Sequence, residues 1–302
     1  MLCCDAILTA DWHVTDDRPL CRTDEDWLGT IDRKLQFLRE LSRANGDCPI
    51  LCAGDVFDSW RASVWLCAWL YRRLPTPLVT VPGNHDLPMH SLARFERSPL
   101  ALLDLICPSI QVLRGNRAIL NEFTVVGLPY GWPADEPPEP ADILLIHDLV
   151  YPDDAASSAF VHGQSASAIF KRFPGYRLIV TGDNHESFAR QDPSTGAWLV
   201  NPGSLLRLTA DQADHKPACY LYWWKENRVE RVELPVDPDA VSRAHLDRRT
   251  AHDAQIAAYI SHLRQGGSGL SLSFRHNLEL YLKDQPVPKR VEELIWQHVE
   301  MT

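Results

Sequence analysis

What most restricts the fold of this 302-residue chain is a recurrence: short apolar runs that end on a small loop carrying Asp, Asn or His. Leu2 to Ala10 runs into Asp11-Trp12-His13, Pro49 to Ala53 into Gly54-Asp55, and Pro77 to Pro82 into Gly83-Asn84-His85-Asp86. Further on, Asp142 to Ile146 ends at His147-Asp148, and Arg177 to Thr181 at Gly182-Asp183-Asn184-His185. Trp198 to Val200 ends at Asn201-Pro202-Gly203-Ser204. Short apolar runs bounded by turn residues read as buried strands. Helical patterns separate the first three. Asp24 to Asn45 repeats Trp27, Ile31, Leu35, Leu38 and Leu41 at helical spacing, and 62–74 turns Val64, Leu66, Cys67 and Leu70 inward. Strand and helix in alternation predict an α/β sheet whose ligand groups collect at the carboxyl ends of its strands.

The remainder fits that scheme. Leu92 to Ile106 reads as a helix, Ile110 to Leu113 and Phe123 to Leu128 as strands, and the stretch rich in Pro, Gly and Glu from Pro129 to Pro140 as a surface loop. Ala159 to Phe173 is a further helix, and 219–224 with 228–234 alternates as a hairpin. Composition changes near Pro235-Val236-Asp237-Pro238, which divides the chain into a domain over 1–236 and a small, mostly helical region over 237–302. In that region Ala240 to Leu263 reads as helical and Gly266 to Gly269 interrupts it. Lys289 to Val299 then carries Val291, Leu294, Ile295 and Val299 on one face, suited to a partner or to the chain's own core. The eight cysteines form no C-x-x-C pair and read as reduced, mostly buried thiols of a cytoplasmic protein. No basic-then-apolar leader or run of about 18 apolar residues is seen, so no membrane association is expected.

The strand-end groups Asp11, His13, Asp55, Asn84, His147, Asp183 and His185 are seven candidate metal ligands. A set of carboxylate, amide and imidazole without thiolate favours Mn²⁺, Fe or Mg²⁺, with Zn²⁺ tolerated. Seven exceed one cation's usual protein complement. Two divalent cations bridged by a carboxylate are the natural reading, and Asp55 has two oxygens to offer.

The order D-x-H, G-D-x-x-D, G-N-H-D, a lone His and G-x-x-H resembles the calcineurin-like metallophosphoesterase superfamily over about residues 5 to 205. The resemblance implies a four-layer α-β-β-α sandwich of two mixed sheets, here with a small C-terminal helical appendage. It implies that Asp11, His13 and His185 bind the first metal, that Asp55 bridges, and that Asn84, His147 and residue 183 bind the second. A hydroxide shared by the two cations would attack phosphorus in line. His85 would stabilise or protonate the leaving oxygen, and Asp86 would hold its ring, with a turn-capping carboxylate as the alternative for Asp86. Asp58 is expected to brace its loop. The family's usual fourth motif is G-H-x-H, whereas this chain has Gly182-Asp183-Asn184-His185. Asp183 is expected to ligate through a hard oxygen and to shift preference toward Mn²⁺ or Mg²⁺. Ligation through water, or by Asn184 instead, stays open.

Gly54 to Asp58 followed by Ser59-Trp60-Arg61-Ala62-Ser63, and the Asn201-Pro202-Gly203-Ser204 loop, resemble SbcD-type DNA-repair nuclease subunits. Gly83 to Leu87 followed by Pro88-Met89-His90 is similar to phage and bacterial relatives. That implies a Mn²⁺-dependent DNA exonuclease or endonuclease, an SbcC-type coiled-coil ATPase as partner, and a homodimer. Arg61 and Arg207, near site loops, are the candidate phosphate contacts. The net charge of −10 argues against a chain-wide basic surface and keeps a phosphodiesterase or phosphatase on nucleotides or other small phosphoesters as the alternative. A non-catalytic metal-binding partner of an ATPase is the remote one.

Overall fold

Four parallel strands open the structure, a computed structural model that describes residues 3–120, 122–133, 140–153, 163–244, 246, 250, 253, 255–256, 274–285 and 287–300. They are β1 (Ala6–Thr9), β2 (Ile50–Cys52), β3 (Leu78–Thr80) and β4 (Ile110–Val112). Helices α1 (Trp27–Ala44), α2 (Val64–Tyr71) and α3 (Pro99–Ile106) connect them. Each helix has a side-chain N-cap: Asp26, Ser63 and Ser98 accept from the backbone N–H three residues on. The single helix expected over 92–106 is two pieces. A 3₁₀ segment over Leu92–Arg97 stops at Ser98, where Pro99, which has no N–H to give, starts α3 afresh.

The chain continues through β5 (Arg117–Leu120), β6 (Phe123–Leu128), β7 (Ile143–His147), a two-stranded pair β8 (Val150–Tyr151) and β9 (Gln164–Ser165), and α4 (Ala166–Arg172). It then runs through β10 (Leu178–Gly182), β11 (Phe188–Gln191), β12 (Trp198–Asn201), β13 (Ala218–Trp223) and β14 (Arg228–Glu233). The first sheet has the order β14-β13-β1-β2-β3-β4 and the second β11-β12-β10-β7-β6-β5. Both are mixed, because β13 is antiparallel to β1, β5 to β6 and β11 to β12.

Strand alternation sorts the core into layers. Ile7, Ile50 and Cys52 pack with Ile31, Leu35, Leu66, Leu70 and Leu103 on the helical side of the first sheet. Leu8, Leu51 and Val79 meet Ile143, Leu145, Leu178 and Val180 between the sheets. Leu144, Ile146 and Ile179 face Ala166 and Ile169 of α4. The result is α-β-β-α. Strands buried on both faces explain why their sequence shows unbroken apolar runs rather than alternation.

The chain forms two compact units, Met1–Ser242 and Arg243–Thr302. The first includes the residues just after the composition change at Val236, because Ser242 N–H donates to Cys21 O (2.7 Å) and Val241 bridges to Arg22. The second contains helices over Phe274–Asp284 and Lys289–Glu300, with Arg275 stacked on Trp296. Most of 240–263, and the glycines at 266–269, lie outside the described residues. So do 134–139 of the expected surface loop and 159–162 of the helix expected over 159–173. No described helix is long and apolar enough to cross a membrane, and all eight cysteines are free thiols.

Candidate metal centre

The seven predicted ligands converge where the carboxyl ends of the two sheets meet. The loop after β1 supplies Asp11 and His13, the loop after β2 Asp55, and the loop after β3 Asn84 and His85. The second sheet supplies His147 at the end of β7, and Asp183 and His185 after β10. Three overlapping groups have ligand atoms within 4.8 Å of one another: Asp11 with His13 and His185; His13 with Asp55 and His85; Asp11 with Asp55 and His147. The loops are stitched through backbone: Asp11 N–H donates to Gly54 O (3.1 Å), His13 N–H to Asp55 O (2.9 Å) and Leu205 N–H to Asp11 O (3.0 Å).

The backbone there is contorted. Asp11, His13, Asp55 and Asp183 have φ of 49°, 45°, 51° and 75°. Asp, Asn and His tolerate this left-handed region better than other non-glycine residues, so the types that can ligate are also types that can make these bends. Two glycines permit the close approach. A Cβ on Gly83 would lie 2.0 Å from Asp55 Oδ1, and one on Gly54 would lie 2.4 Å from His147 Nδ1.

Hydrogen bonds show which atoms are free to ligate. His147 Nδ1 is 2.6 Å from Ala53 O and so carries a ring proton, which turns Nε2 into the centre. Nε2 faces Asn84 Oδ1 (2.8 Å), Asp55 Oδ2 (3.5 Å) and Asp183 Oδ1 (3.8 Å), all acceptors. Three acceptors around Nε2 call for positive charge there, a second ring proton in the metal-free chain or a cation in its place. Asp55 Oδ1 is occupied by His85 N–H (2.9 Å), whereas Oδ2 stands 3.6 Å from His13 Nε2 and 3.5 Å from His147 Nε2, between the two halves of the cluster. His13 Nε2 in turn faces His185 Nε2 at 3.1 Å. Asp11 Oδ1 accepts from Asp183 N–H (3.0 Å), while its Oδ2 is buried with no hydrogen-bond partner.

The electrostatics of the protein's own charges agree. Burial pushes the Asp11 carboxyl up to about 7, against the pull of nearby His147. Burial opposes charge on His147, yet Asp55 above all, with Asp11 and Asp183, raises it to about 10. Burial also opposes the charged form of Asp55, but His147 and His13 hold it below the usual carboxylate range. Burial, then the charge of His13, lowers His185 to about 4. The cluster thus draws positive charge into itself, and the orphaned Asp11 oxygen and opposed acceptors fit divalent cations.

Residues 6–187 match the calcineurin-like phosphoesterase family. The chain belongs to that family. It is therefore a metal-dependent phosphoesterase in kind, with ligand-bearing residues gathered as such an enzyme requires. Among solved structures, a metallophosphoesterase from Sphaerobacter thermophilus is similar at 16% identity with a TM-score of 0.38, over 77% of this chain and 89% of that one. Zinc-complexed wild-type Vps29 from Entamoeba histolytica is similar at 15% identity with a TM-score of 0.33, over 76% of this chain and 99% of that one. No match is found among the curated proteins.

Other expected residues of this phosphoesterase are placed differently. Asp86 does not hold His85. Its buried carboxylate accepts from the N–H groups of Val56 (3.2 Å), Phe57 (3.0 Å) and Gly83 (3.0 Å), strapping the β2 and β3 loops together. His85 Nδ1 instead lies 2.6 Å from the carbonyl of Asp58, whose carboxylate stands 3.2 Å from His13 Nδ1. Asp58 thus fixes the His85 ring through its carbonyl and sets a carboxylate beside His13, the first of these being the task expected of Asp86; a carbonyl direction is not legible in a sequence. Arg207 is not a phosphate contact. It is 4% exposed, and its guanidinium donates to the carbonyls of Ala213 (2.8 Å) and Asp237. Arg61 is exposed and stacks on Trp60. Asn184 is committed elsewhere, donating to Val150 O (2.7 Å) and accepting from Glu186 N–H (3.0 Å), which leaves Asp183 as the residue facing His147.

Gln212 carried no sequence signal as a neighbour of the centre, and Asn201 stood out in the sequence only as the start of a strand-end loop. Asn201 Nδ2 donates to Asn184 O and Glu186 O and so holds the His185 loop. Gln212 Oε1 accepts from Leu208 N–H (2.6 Å) and Thr209 N–H (3.1 Å), which turns its Nε2 to His185 Nδ1 at 3.3 Å. An N–H facing Nδ1 puts the His185 ring proton on Nε2, between His185 and His13, so a cation held by His185 would have to displace that proton.

Proposed function

We propose that this chain is a two-metal phosphodiesterase acting on DNA, a nuclease of the SbcD type that works with Mn²⁺. The observation that carries the two-metal part is the placing of Asp55 Oδ2 between His13 Nε2 and His147 Nε2. Asp11, His13, Asp55 and His185 would hold the first cation, and Asp55, Asn84, His147 and Asp183 the second. Such cations would supply the acidity that activates water and the charge that neutralises phosphate oxygens. His85 is pinned through Nδ1–H to the Asp58 carbonyl, and as the imidazolium, with a second proton on Nε2, it would give that Nε2 proton to the leaving oxygen. Asp86 keeps the Asp55 and His85 loops in register.

A cleft of about 440 Å³ beside His147 and Asp183 supports a nucleotide substrate. Tyr130, Trp132 and Phe173 line it with flat rings on which a base can stack, beside Arg172, which is paired with Asp148 (3.2 Å). Arg61 remains the arginine offered to the phosphate backbone. An SbcC-type ATPase docked on the helix over Lys289–Glu300, and pairing of two copies, belong to the same proposal. The net charge of −10 and a cleft with room for about one nucleotide favour the alternative, a small nucleotide or diester.

Mn²⁺-loaded protein is expected to degrade linear or single-stranded DNA. His85→Ala is expected to lower kcat by roughly 10²–10⁴-fold while both cations stay bound. Cleavage of bis-p-nitrophenyl phosphate with DNA left intact would replace the nuclease reading by the small-diester one. Cleavage of neither would overturn the catalytic reading.

A further inference from the structure

We propose that a second cavity, lined by Arg22, Arg33, Lys34 and Arg207, binds a small oxyanion of the class of inorganic phosphate or a phosphate monoester. It measures about 220 Å³ and is closed by Pro235 and Asp237. Helix α1 presents Thr30, Arg33 and Lys34 to it from one face, as i, i+3 and i+4 spacing dictates. Arg22 reaches it from before the helix and Arg207 from after β12.

The charges there are unbalanced. Lys34 and Arg207 are each 4% exposed and Arg22 is 6% exposed. Asp24 is spent on Arg22, with Nε–Oδ2 at 2.7 Å and Nη2–Oδ1 at 2.8 Å, and on the Thr30 hydroxyl. Lys34 Nζ donates to the Pro235 carbonyl at 3.1 Å, and Arg207 donates to carbonyls alone. Among the described residues neither has a carboxylate within ion-pair distance. Asp237, at the rim, is exposed and accepts from Asp239 N–H (3.0 Å). Four cations therefore face two carboxylates, one of them already taken.

Burying cations without counter-charge is costly, and proteins that do so neutralise them or supply an anion. Burial, reinforced by the charges of Arg207, Arg22 and Arg33, brings Lys34 down to about 7, so near neutral pH its charge is set by what enters the cavity. An oxyanion offers acceptors to the unused N–H groups of Lys34 and of the guanidinium forks. The volume suits phosphate with a few waters, or the monoester of a small alcohol. This site stands apart from the metal centre and does not depend on the reaction proposed for it.

The test is calorimetric titration of inorganic phosphate into the full chain after metal removal with a chelator, against chloride of equal ionic strength. Stripping the cations removes the other place where phosphate would bind. One phosphate per chain is expected, at least tenfold weaker in Lys34→Met and several-fold weaker in Arg33→Gln. Arg33 is exposed on α1, so its replacement leaves the fold intact. Glycerol phosphate as a second titrant separates the sources: tighter binding than phosphate assigns an organic monoester, and equal or weaker binding assigns the free anion. No heat beyond the chloride control, or undiminished affinity in both variants, overturns the proposal.

Discussion

The loops after β1 and β2 and the loop after β10 bring similar side chains to one centre, but they hold them differently. Asp11, His13 and Asp55 are no more than 1% exposed, and their backbones are hydrogen-bonded to each other. Asp183 has a side chain 28% exposed, and its carboxylate reaches no closer than 3.8 Å to its ion partner His147. His185, on the same loop, is steadied by Gln212 and by the bracing of Asn201. Ligands fixed by backbone stitching are in place before a cation arrives, whereas the β10 loop completes its geometry around one. The first position should therefore fill tightly and the second weakly.

In the proposed two-metal centre Asp55 would belong to both positions, so Asp55→Asn is the most damaging way to erase the contrast. Loss of the shared oxygen's charge is expected to reduce hydrolysis on the order of 10⁴-fold and to weaken both cations in a Mn²⁺ titration. One cation held at full affinity would mean that Asp55 is not shared. Asp183→Ala sharpens the contrast, weakening the second cation on the order of tenfold or more and leaving the first unchanged. Asp183→His, which restores the family's usual imidazole, is expected to move preference toward Zn²⁺ in competition with Mn²⁺.

Asp86 bears on the rigid side alone. Burial above all, and then the charge of Asp55, raises its carboxyl to about 7 against the help of its backbone donors. A carboxyl raised on folding contributes stability that is whole below its unfolded pKa of about 3.8 and is lost as pH rises through 7. Metal-free protein should thus lose denaturant stability between pH 4 and 7. Asp86→Asn should flatten that slope while costing about 1–2 kcal/mol through one mismatched backbone N–H. The smallest effect is expected at Gln212→Glu. A carboxylate would accept the His185 Nδ1 proton and free Nε2, tightening the first cation by about tenfold or less. Weaker binding would show that the amide's present direction suits the metal-bound ring.

Much of this was legible in the sequence because the strands are buried on both faces and each ends in a chemically marked loop. Ile7, Ile50 and Ile143 sit in runs apolar enough to declare themselves, and Asp11, Asp55 and Asn84 stand immediately beyond. What stayed hidden depends on where atoms point. Asp58 and Asp86 are alike on paper, yet one turns a carbonyl to His85 and the other turns its carboxylate onto three N–H groups. Arg207 lies close to a site loop in sequence, but its guanidinium points at backbone carbonyls around another cavity. Strands β5 and β11 lie at the edges of the second sheet and are half-exposed, so they lack the apolar run that marks the rest.

The most direct test is an anomalous difference map from crystals of this protein soaked in Mn²⁺. Two peaks are expected, about 3.5–4 Å apart, with Asp55 Oδ2 between them, His13 and His185 on one and Asn84 and His147 on the other. A single peak at saturating Mn²⁺, or two peaks with Asp55 bound to only one, would contradict the bridged two-metal centre.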